Sequence, residues 1–73
     1  MPSIDIPAPM AGSVKEILVA IGDAVTAGQE ILILESMKME IPIESPAAGT
    51  ITEIPVSPPQ VVEEGELLMR IVS

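Results

Sequence analysis

Apolar and polar side chains alternate with a period of two along most of this 73-residue chain, and prolines and glycines divide it into short pieces. A period of two is typical of strands that bury one face, and the interrupted stretches are too short for a typical helix. Eight strands are predicted, at Ser3–Ile6, Val14–Val19, Ala24–Val25, Glu30–Ser36, Met39–Glu44, Ile51–Val56, Val61–Val62 and Leu67–Val72. Many short strands at this spacing predict an all-β sandwich or barrel.

The second half of the chain repeats the first. Eleven of the 33 positions from Ile4 to Ser36 hold the same residue 37 positions later, without a gap. Two like halves fold most simply as two like units related by a pseudo-twofold axis. The junction between the halves should then lie at one extremity of the molecule, and the two termini should meet near the other.

Glycines and prolines refine this prediction. Four glycines form two repeat pairs, Gly12 with Gly49 and Gly28 with Gly65. Because a turn that needs a positive φ in one half needs it again in the other, both pairs are predicted to be turn glycines. Pro42 and Pro55 fall inside predicted strands, which indicates edge strands or a ladder side that needs no donor.

The two halves meet at a six-residue junction, Glu35-Ser36-Met37-Lys38-Met39-Glu40. A reversal at Met37-Lys38 predicts a two-residue hairpin in which Ser36 faces Met39. Tight hairpin loops favour Asn-Gly or Asp-Gly, since both central residues need φ > 0. The same register opposes two like charges, Glu35 and Glu40, and places two methionines at an exposed tip. Local rules fail together mainly at functional sites.

The chemistry that this tip favours is covalent attachment to Lys38. A lysine amine on a long flexible stem is a suitable tether, but no neighbouring cation in the sequence helps to deprotonate it. A separate enzyme would therefore supply the activation, and the domain would be a substrate rather than a catalyst. The only other lysine, Lys15, is predicted to be a solvent-facing strand residue.

Composition excludes several other classes of function. The chain has no aromatic residue to stack on a base, and its net charge of −8 repels phosphate backbones and anionic lipids. It has neither histidine nor cysteine, and its eleven carboxylates come without a nucleophile, so we predict no catalytic residues and no metal site. No apolar run is long enough to span a membrane, and a cytoplasmic location is expected by default.

The junction resembles the attachment motif of the biotinyl domain family, with Met37-Lys38-Met39 as its most specific element. The similarity extends over the whole chain, through Pro9-Met10-Ala11-Gly12, Gly22-Asp23-Ala24-Val25, Gly28-Gln29 and Ser45-Pro46-Ala47-Ala48-Gly49. The resemblance implies a flattened β-barrel, or barrel-sandwich hybrid, of two four-stranded antiparallel sheets with pseudo-twofold symmetry. That fold agrees with the repeat.

The resemblance also implies a function. Lys38 would receive biotin from a biotin protein ligase through an amide bond, and the arm would take carboxylate from a biotin carboxylase to a carboxyltransferase. Met37 and Met39 are expected to contact the ligase or the cofactor, since exposed methionine suits adaptable surfaces. Glu35 and Glu40 could guide a basic partner surface or simply keep the tip soluble.

Two alternatives stay open. Lipoyl domains share the fold that the resemblance implies and usually carry a small hydroxyl residue before Asp-Lys-Ala. Ser36 and Glu35 therefore favour lipoate as the cofactor on Lys38. Lipoate would require a lipoate ligase and would serve acyl or aminomethyl transfer. Met37 and Met39 lean toward biotin. The other alternative is an unmodified β-sandwich that uses the tip as an interaction module.

The organisation of the chain gives further expectations. Residues 1–73 are expected to form a single carrier domain that needs no partner subunit to close its core, and hence a monomer. Family members usually follow a linker or are fused to catalytic domains, and some carry an inserted thumb, which the short turn Ala20–Ala24 leaves no room for. The chain therefore resembles a free-standing attachment protein that delivers its cofactor in trans.

Overall fold

Residues 2–73, which a computed structural model describes, form eight strands. The strands are β1 (Ser3–Pro7), β2 (Gly12–Ile17), β3 (Ala24–Val25), β4 (Glu30–Ser36), β5 (Met39–Glu44), β6 (Gly49–Glu53), β7 (Val61–Val62) and β8 (Leu67–Val72). This part of the chain contains no helix that is long and apolar enough to cross a bilayer.

The strands form two four-stranded antiparallel sheets, in the orders β1-β8-β6-β3 and β5-β4-β2-β7. Each strand of the first sheet has its 37-residue repeat counterpart at the same place in the second sheet. The architecture confirms the predicted flattened β-barrel and its pseudo-twofold relation between halves.

The Lys38 hairpin and the chain termini lie at opposite ends of an elongated body of 36 × 18 × 17 Å. β2 starts at Gly12 beside the β4–β5 hairpin and runs away from it, toward β3. β3 pairs with the start of β6, which pairs in turn with Val72. The Ser73 amide donates to the carbonyl oxygen of Pro2 at 3.2 Å, so the termini meet at this far end, as predicted.

The core between the sheets is aliphatic. Its buried members come from both halves and are Ile6, Ala8, Val14, Val25, Ile31, Leu32, Leu34, Ile43, Ile51, Val56, Val62, Leu68, Met69 and Ile71. Burial of one large aliphatic side chain stabilises a fold by roughly 1.5–3 kcal/mol, so this set offsets much of the ordering cost of so small a domain.

The repeated glycines play two different roles, and one part of the prediction was wrong. Gly28 and Gly65 both adopt a φ of 87°, which confirms that they are turn glycines. Gly12 and Gly49 have no positive φ and instead open β2 and β6. An added Cβ at Gly49 would lie 2.6 Å from the carbonyl oxygen of Val72, and one at Gly12 would lie 2.6 Å from that of Glu35.

This close approach explains why β2 and β6 were misplaced by the same amount. Both strands begin two residues earlier than predicted, because the glycines belong to the ladder rather than to the preceding turn. β6 ends at Glu53, so Pro55 lies outside any strand, contrary to the prediction. Pro42 does lie within β5, an edge strand, as predicted.

Substitution of Gly49 by Ala should destabilise the fold, because the new methyl group would meet the backbone of β8. The free energy of unfolding should fall by about 1–3 kcal/mol, the usual cost of overpacking. Urea unfolding followed by far-ultraviolet circular dichroism would measure it. The exposed neighbour Ala48→Ser is the control and should change stability by less than about 0.5 kcal/mol. Equal stability of the two variants would contradict the account.

Candidate functional site

β4 and β5 form a hairpin whose two central residues are Met37 and Lys38. Ser36 pairs with Met39, and the strands continue in register behind them. Met37 has a φ of 53° and Lys38 a φ of 65°, the combination of a type I′ turn. The register and the two-residue loop are those predicted from the sequence.

Neither central residue suits this conformation. A non-glycine side chain with positive φ costs on the order of 1 kcal/mol or more, and it persists only where the surrounding structure fixes it. The ladder between β4 and β5 runs from Glu30 and Glu44 to the turn, and Leu34 and Ile43 anchor the two strands in the core. The hairpin therefore holds Lys38 in a fixed backbone conformation at the end of a packed ribbon.

The side chains around the turn project into solvent. Met37 is 92% exposed and Met39 is 63% exposed, so neither joins the core. Lys38 is also exposed, and its amine forms no ion pair with any group in residues 2–73. The tip thus presents one unpaired amine between two flexible apolar side chains.

One of the two opposed carboxylates behind the turn, Glu40, pairs with a cation that the sequence analysis did not predict there. Lys15 lies at a bulge in β2, where the register shifts between Val14 and Glu16. From there its Nζ forms a salt bridge with Oε2 of Glu40, on the far side of β4. The hydrogen bond to Glu40 and the negative charges of Glu40, Glu35 and Glu16 raise the pKa of Lys15 above its ordinary value.

The structure therefore brings together all six residues of the predicted junction and adds Lys15 to them. Lys15 faces solvent, as predicted, but it also neutralises part of the repulsion between Glu35 and Glu40. Ser36 is half-buried beside the turn. The ion pair had no sequence signal, because only the bulge brings Lys15 within reach of β5.

A second ion cluster lies on the other sheet, away from this site. Arg70 on β8 donates from Nε to Asp5 at 2.7 Å and from Nη1 to Glu53 at 2.5 Å. The hydrogen bond to Asp5 and the charges of both carboxylates raise the pKa of Arg70. The cluster links β1, β8 and β6 across the outer face of their sheet. Its carboxylates are tied to a cation and have no nucleophile beside them.

Chemically, the hairpin can offer an amine and an adaptable apolar surface. Residues 2–73 contain no group of three or more side chains suited to hold a metal ion. A cleft of about 330 Å³ lies between the edge strands β1 and β5 and is lined by Ile6, Ile41, Ile43, several prolines and one carboxylate, Glu44. That lining supplies one carboxylate and no nucleophile, so the exposed amine of Lys38 is the chemical feature of the site.

Comparison with known proteins agrees with this geometry. Residues 4–71 match the biotin/lipoyl family model described as "Biotin-requiring enzyme". The chain is 46% identical over 66 residues to the biotin carboxyl carrier protein of Streptococcus mutans, covering 90% of this chain and 51% of that protein. It is 42% identical over 62 residues to the biotin/lipoyl attachment protein of Bacillus subtilis, covering 85% of each. The chain thus spans about half of the first relative's length.

Solved structures show the same fold. The crystal structure of Kluyveromyces lactis urea carboxylase matches with a TM-score of 0.92 and 28% identity, covering 99% of this chain and 6% of that one. The solution structure of the lipoyl domain of the 2-oxoglutarate dehydrogenase complex from Azotobacter vinelandii matches with a TM-score of 0.82 and 30% identity, covering 96% of each chain.

Replacement of Met37 by Asn should stabilise the hairpin, because asparagine tolerates a positive φ far better than methionine does. We expect the free energy of unfolding to rise by about 1 kcal/mol in urea titrations. Met39→Asn serves as the control, since Met39 lies in β5 with no positive φ to relieve. A gain that is equal in both variants would show that loss of exposed apolar surface, and not backbone strain, is responsible.

Replacement of Glu40 by Gln should make the Lys15 amine more reactive, because it removes the partner that raises the pKa of Lys15. Partial acylation with an N-hydroxysuccinimide ester, followed by peptide mapping, would give the ratio of Lys15 to Lys38 labelling. The wild-type ratio should favour Lys38, and Glu40→Gln should raise the share of Lys15. Glu53→Gln, on the other sheet, should leave the ratio unchanged. An unchanged ratio in Glu40→Gln would contradict the role of the ion pair.

Proposed function

Since the chain belongs to the biotin/lipoyl family, we propose that it is a biotin carrier in which Lys38 is the attachment residue. The observation that carries the proposal is the exposed amine of Lys38 at the tip of a strained hairpin, between Met37 and Met39. A tether for an enzyme-bound cofactor must reach out from a rigid body, and this hairpin provides that arrangement. The domain itself is not an enzyme.

In this proposal a biotin protein ligase loads the chain from biotinyl-adenylate. The unprotonated amine of Lys38 attacks the acyl carbon, an amide bond forms, the bond between the acyl carbon and phosphate oxygen breaks, and AMP leaves with its electron pair. The nitrogen loses one proton to the ligase or to water. The ligase supplies the activation, because no ion-pair partner or base in residues 2–73 is placed to deprotonate the amine.

Attached biotin would supply the chemistry of carboxyl transfer, and this chain would supply position. The ladder of β4 and β5 fixes the backbone from which the arm extends, while the methionines offer adaptable contact and Glu35 and Glu40 give the tip a negative potential.

The partner enzymes of a biotin carrier would be a biotin carboxylase and a carboxyltransferase. Support comes from relatives that include pyruvate carboxylase of Staphylococcus aureus, 42% identical over 66 residues. A monomeric state and a cytoplasmic location stay predictions.

Lipoate is the second candidate for the same lysine. The likeness to the lipoyl domain of a 2-oxoglutarate dehydrogenase complex favours it, since 96% of each chain is covered. Lipoate would require a lipoate ligase and would serve acyl or aminomethyl transfer. Both cofactors need the same exposed amine, so the mass of the attached group decides between them.

Replacement of Lys38 by Arg should abolish loading completely, because a guanidinium keeps its charge and cannot act as the nucleophile. The chain would be incubated with a bacterial biotin protein ligase, ATP and biotin, then analysed by intact mass and peptide mapping. The wild-type chain should gain one biotinyl group at Lys38. Lys15→Arg is the matched control, since it replaces the other lysine, and should load as the wild type does.

The possible outcomes separate the candidates. A lipoyl increment on protein isolated from its native cells would replace biotin by lipoate. If the wild-type chain takes up neither group with ligase and cofactor supplied, the carrier proposal fails. The alternative of an unmodified interaction module would then be favoured. Binding of a partner through the hairpin tip should tolerate Lys38→Arg.

A further inference from the structure

The cleft between β1 and β5 opens directly above the core. The Cα atoms of these two edge strands stay more than 8 Å apart, so no ladder closes the barrel between them. Ile6 and Ile43 lie beneath the opening and belong to the core. The lining contains three pairs of repeat counterparts, Ile6 with Ile43, Pro7 with Glu44 and Pro9 with Pro46. Because it contains both members of these pairs, the cleft straddles the pseudo-twofold axis.

Neither edge strand is well suited to pair with a further strand. In an antiparallel pair, every second residue of an edge strand turns its backbone groups away from its neighbour. On β5 these residues are Glu40, Pro42 and Glu44, since a hydrogen-bonded pair closes the two-residue turn of the hairpin. Pro42 has no amide hydrogen to donate at the middle of this edge, and Pro7 has none on β1. The cleft is therefore better suited to accept side chains than an added strand.

The two ends of the cleft differ in charge. At one end Glu44 pairs with Glu30 across the ladder of β5 and β4, and both side chains are exposed. At the other end the counterpart residues Pro7 and Leu67 pair in the same way. Like charges that face each other across a ladder are destabilising, and the fold accepts an apolar pair in the counterpart position. The ladder therefore does not require the two carboxylates.

No cation in residues 2–73 pairs with Glu30 or Glu44. Lys15 and Arg70 are bound to other carboxylates, and Lys38 lies at the hairpin tip. A second copy of this chain would bring the same net charge of −8 to the cleft, so electrostatic repulsion disfavours it as an occupant. The complementary occupant is apolar with an adjacent positive charge.

We propose that the cleft binds an extended segment of a partner protein that carries a leucine-sized side chain next to a lysine or arginine. The apolar side chain covers Ile6 and Ile43, and the cation lies between Glu30 and Glu44. The cleft is open to solvent, and sites for free small molecules usually enclose most of their ligand, so a tethered side chain fits better.

This site lies apart from the attachment lysine. Glu44 follows Lys38 by six residues, which is roughly 20 Å along an extended strand. A segment bound at the cleft therefore leaves the hairpin tip exposed. The cleft holds the domain to its partner while the group on Lys38 stays free to move. The proposal goes beyond the carrier function and does not depend on which group Lys38 carries.

Peptide titrations provide the test. The full chain, labelled with ¹⁵N, would be titrated with the capped peptide acetyl-Gly-Leu-Lys-Arg-Gly-amide and followed by NMR. We expect a Kd of about 1 mM, with amide shifts centred on Ile6, Ile43 and Glu44. A peptide with serine in place of leucine should bind about tenfold more weakly, because it lacks the apolar side chain. A peptide with two glutamates in place of lysine and arginine should not bind measurably.

Matched variants of the chain test the charge. Glu30→Gln/Glu44→Gln should weaken binding of the leucine peptide by about fivefold, the upper range for exposed ion pairs. Glu63→Gln/Glu64→Gln removes two exposed carboxylates elsewhere and should leave the Kd within about twofold of the wild type. Added salt should weaken binding to the wild-type chain more than binding to Glu30→Gln/Glu44→Gln.

A second pair of variants tests the apolar lining. Ile41 lines the cleft and is half-buried, while its counterpart Ile4 is half-buried but does not line it. Ile41→Ala should weaken binding by about fivefold, and Ile4→Ala should not. Thermal unfolding would check that both variants are folded.

Three results would overturn the proposal. These are no shifts at about 10 mM of the leucine peptide, equal binding of all three peptides, or equal loss of affinity in the cleft variants and their controls. Lys38→Arg should bind the leucine peptide as the wild type does, and shifts confined to the hairpin would place the peptide elsewhere. Failure of the chain to take up biotin would end the carrier proposal and leave this result unaffected.

Discussion

Neither half of this chain can complete a sheet alone, and that constraint governs the rest of the structure. Each sheet takes two strands from the first half and two from the second, so β1 pairs with β8 and β5 pairs with β4. Two of the pairings that join the halves run along whole strands. The ladder of β1 and β8 ends at the chain termini, and the ladder of β4 and β5 ends in the turn that holds Lys38. The hairpin is thus a structural seam, and packing on both sides of it fixes its register. This is how a small aliphatic core can hold a strained turn with both central residues at positive φ.

Much of this arrangement could be predicted from the sequence, because it depends on local pattern and on the repeat. The eight strands, the hairpin register and the meeting of the termini follow from a period of two and from the 37-residue offset. What could not be predicted depends on the approach of distant backbone segments. Gly12 and Gly49 read as turn glycines, yet they are required because a neighbouring carbonyl oxygen leaves no room for a Cβ. The salt bridge between Lys15 and Glu40 likewise depends on a bulge in β2, and no pattern in the sequence predicts that bulge.

The internal repeat also separates what the fold needs from what it merely permits. Where two counterpart residues share both chemistry and geometry, as Gly28 and Gly65 do, the backbone conformation explains why the residue is glycine. Where two counterpart residues share a backbone geometry but differ in side-chain chemistry, the fold does not determine which residue stands there. Arg70 with its two carboxylates has the apolar Ile33 as counterpart, so the ion cluster belongs to one sheet and not to the architecture. The acidic turn from Glu63 to Glu66 falls in the same class, since the counterpart turn from Thr26 to Gln29 has the same backbone hydrogen bond and no carboxylate.

The two lysines show how the same functional group acquires different chemistry from its surroundings. Lys15 projects from a strand toward three carboxylates, and its pKa is raised, so a larger fraction of it stays protonated at any pH near that value. Lys38 projects from a turn whose neighbours are methionines, and no carboxylate in residues 2–73 pairs with it. An acyl acceptor has to be unprotonated when it reacts, so the ion pair that steadies the hairpin also makes Lys15 the poorer acceptor. The carboxylates that border the tip can then give it a negative potential without creating a second site of attachment.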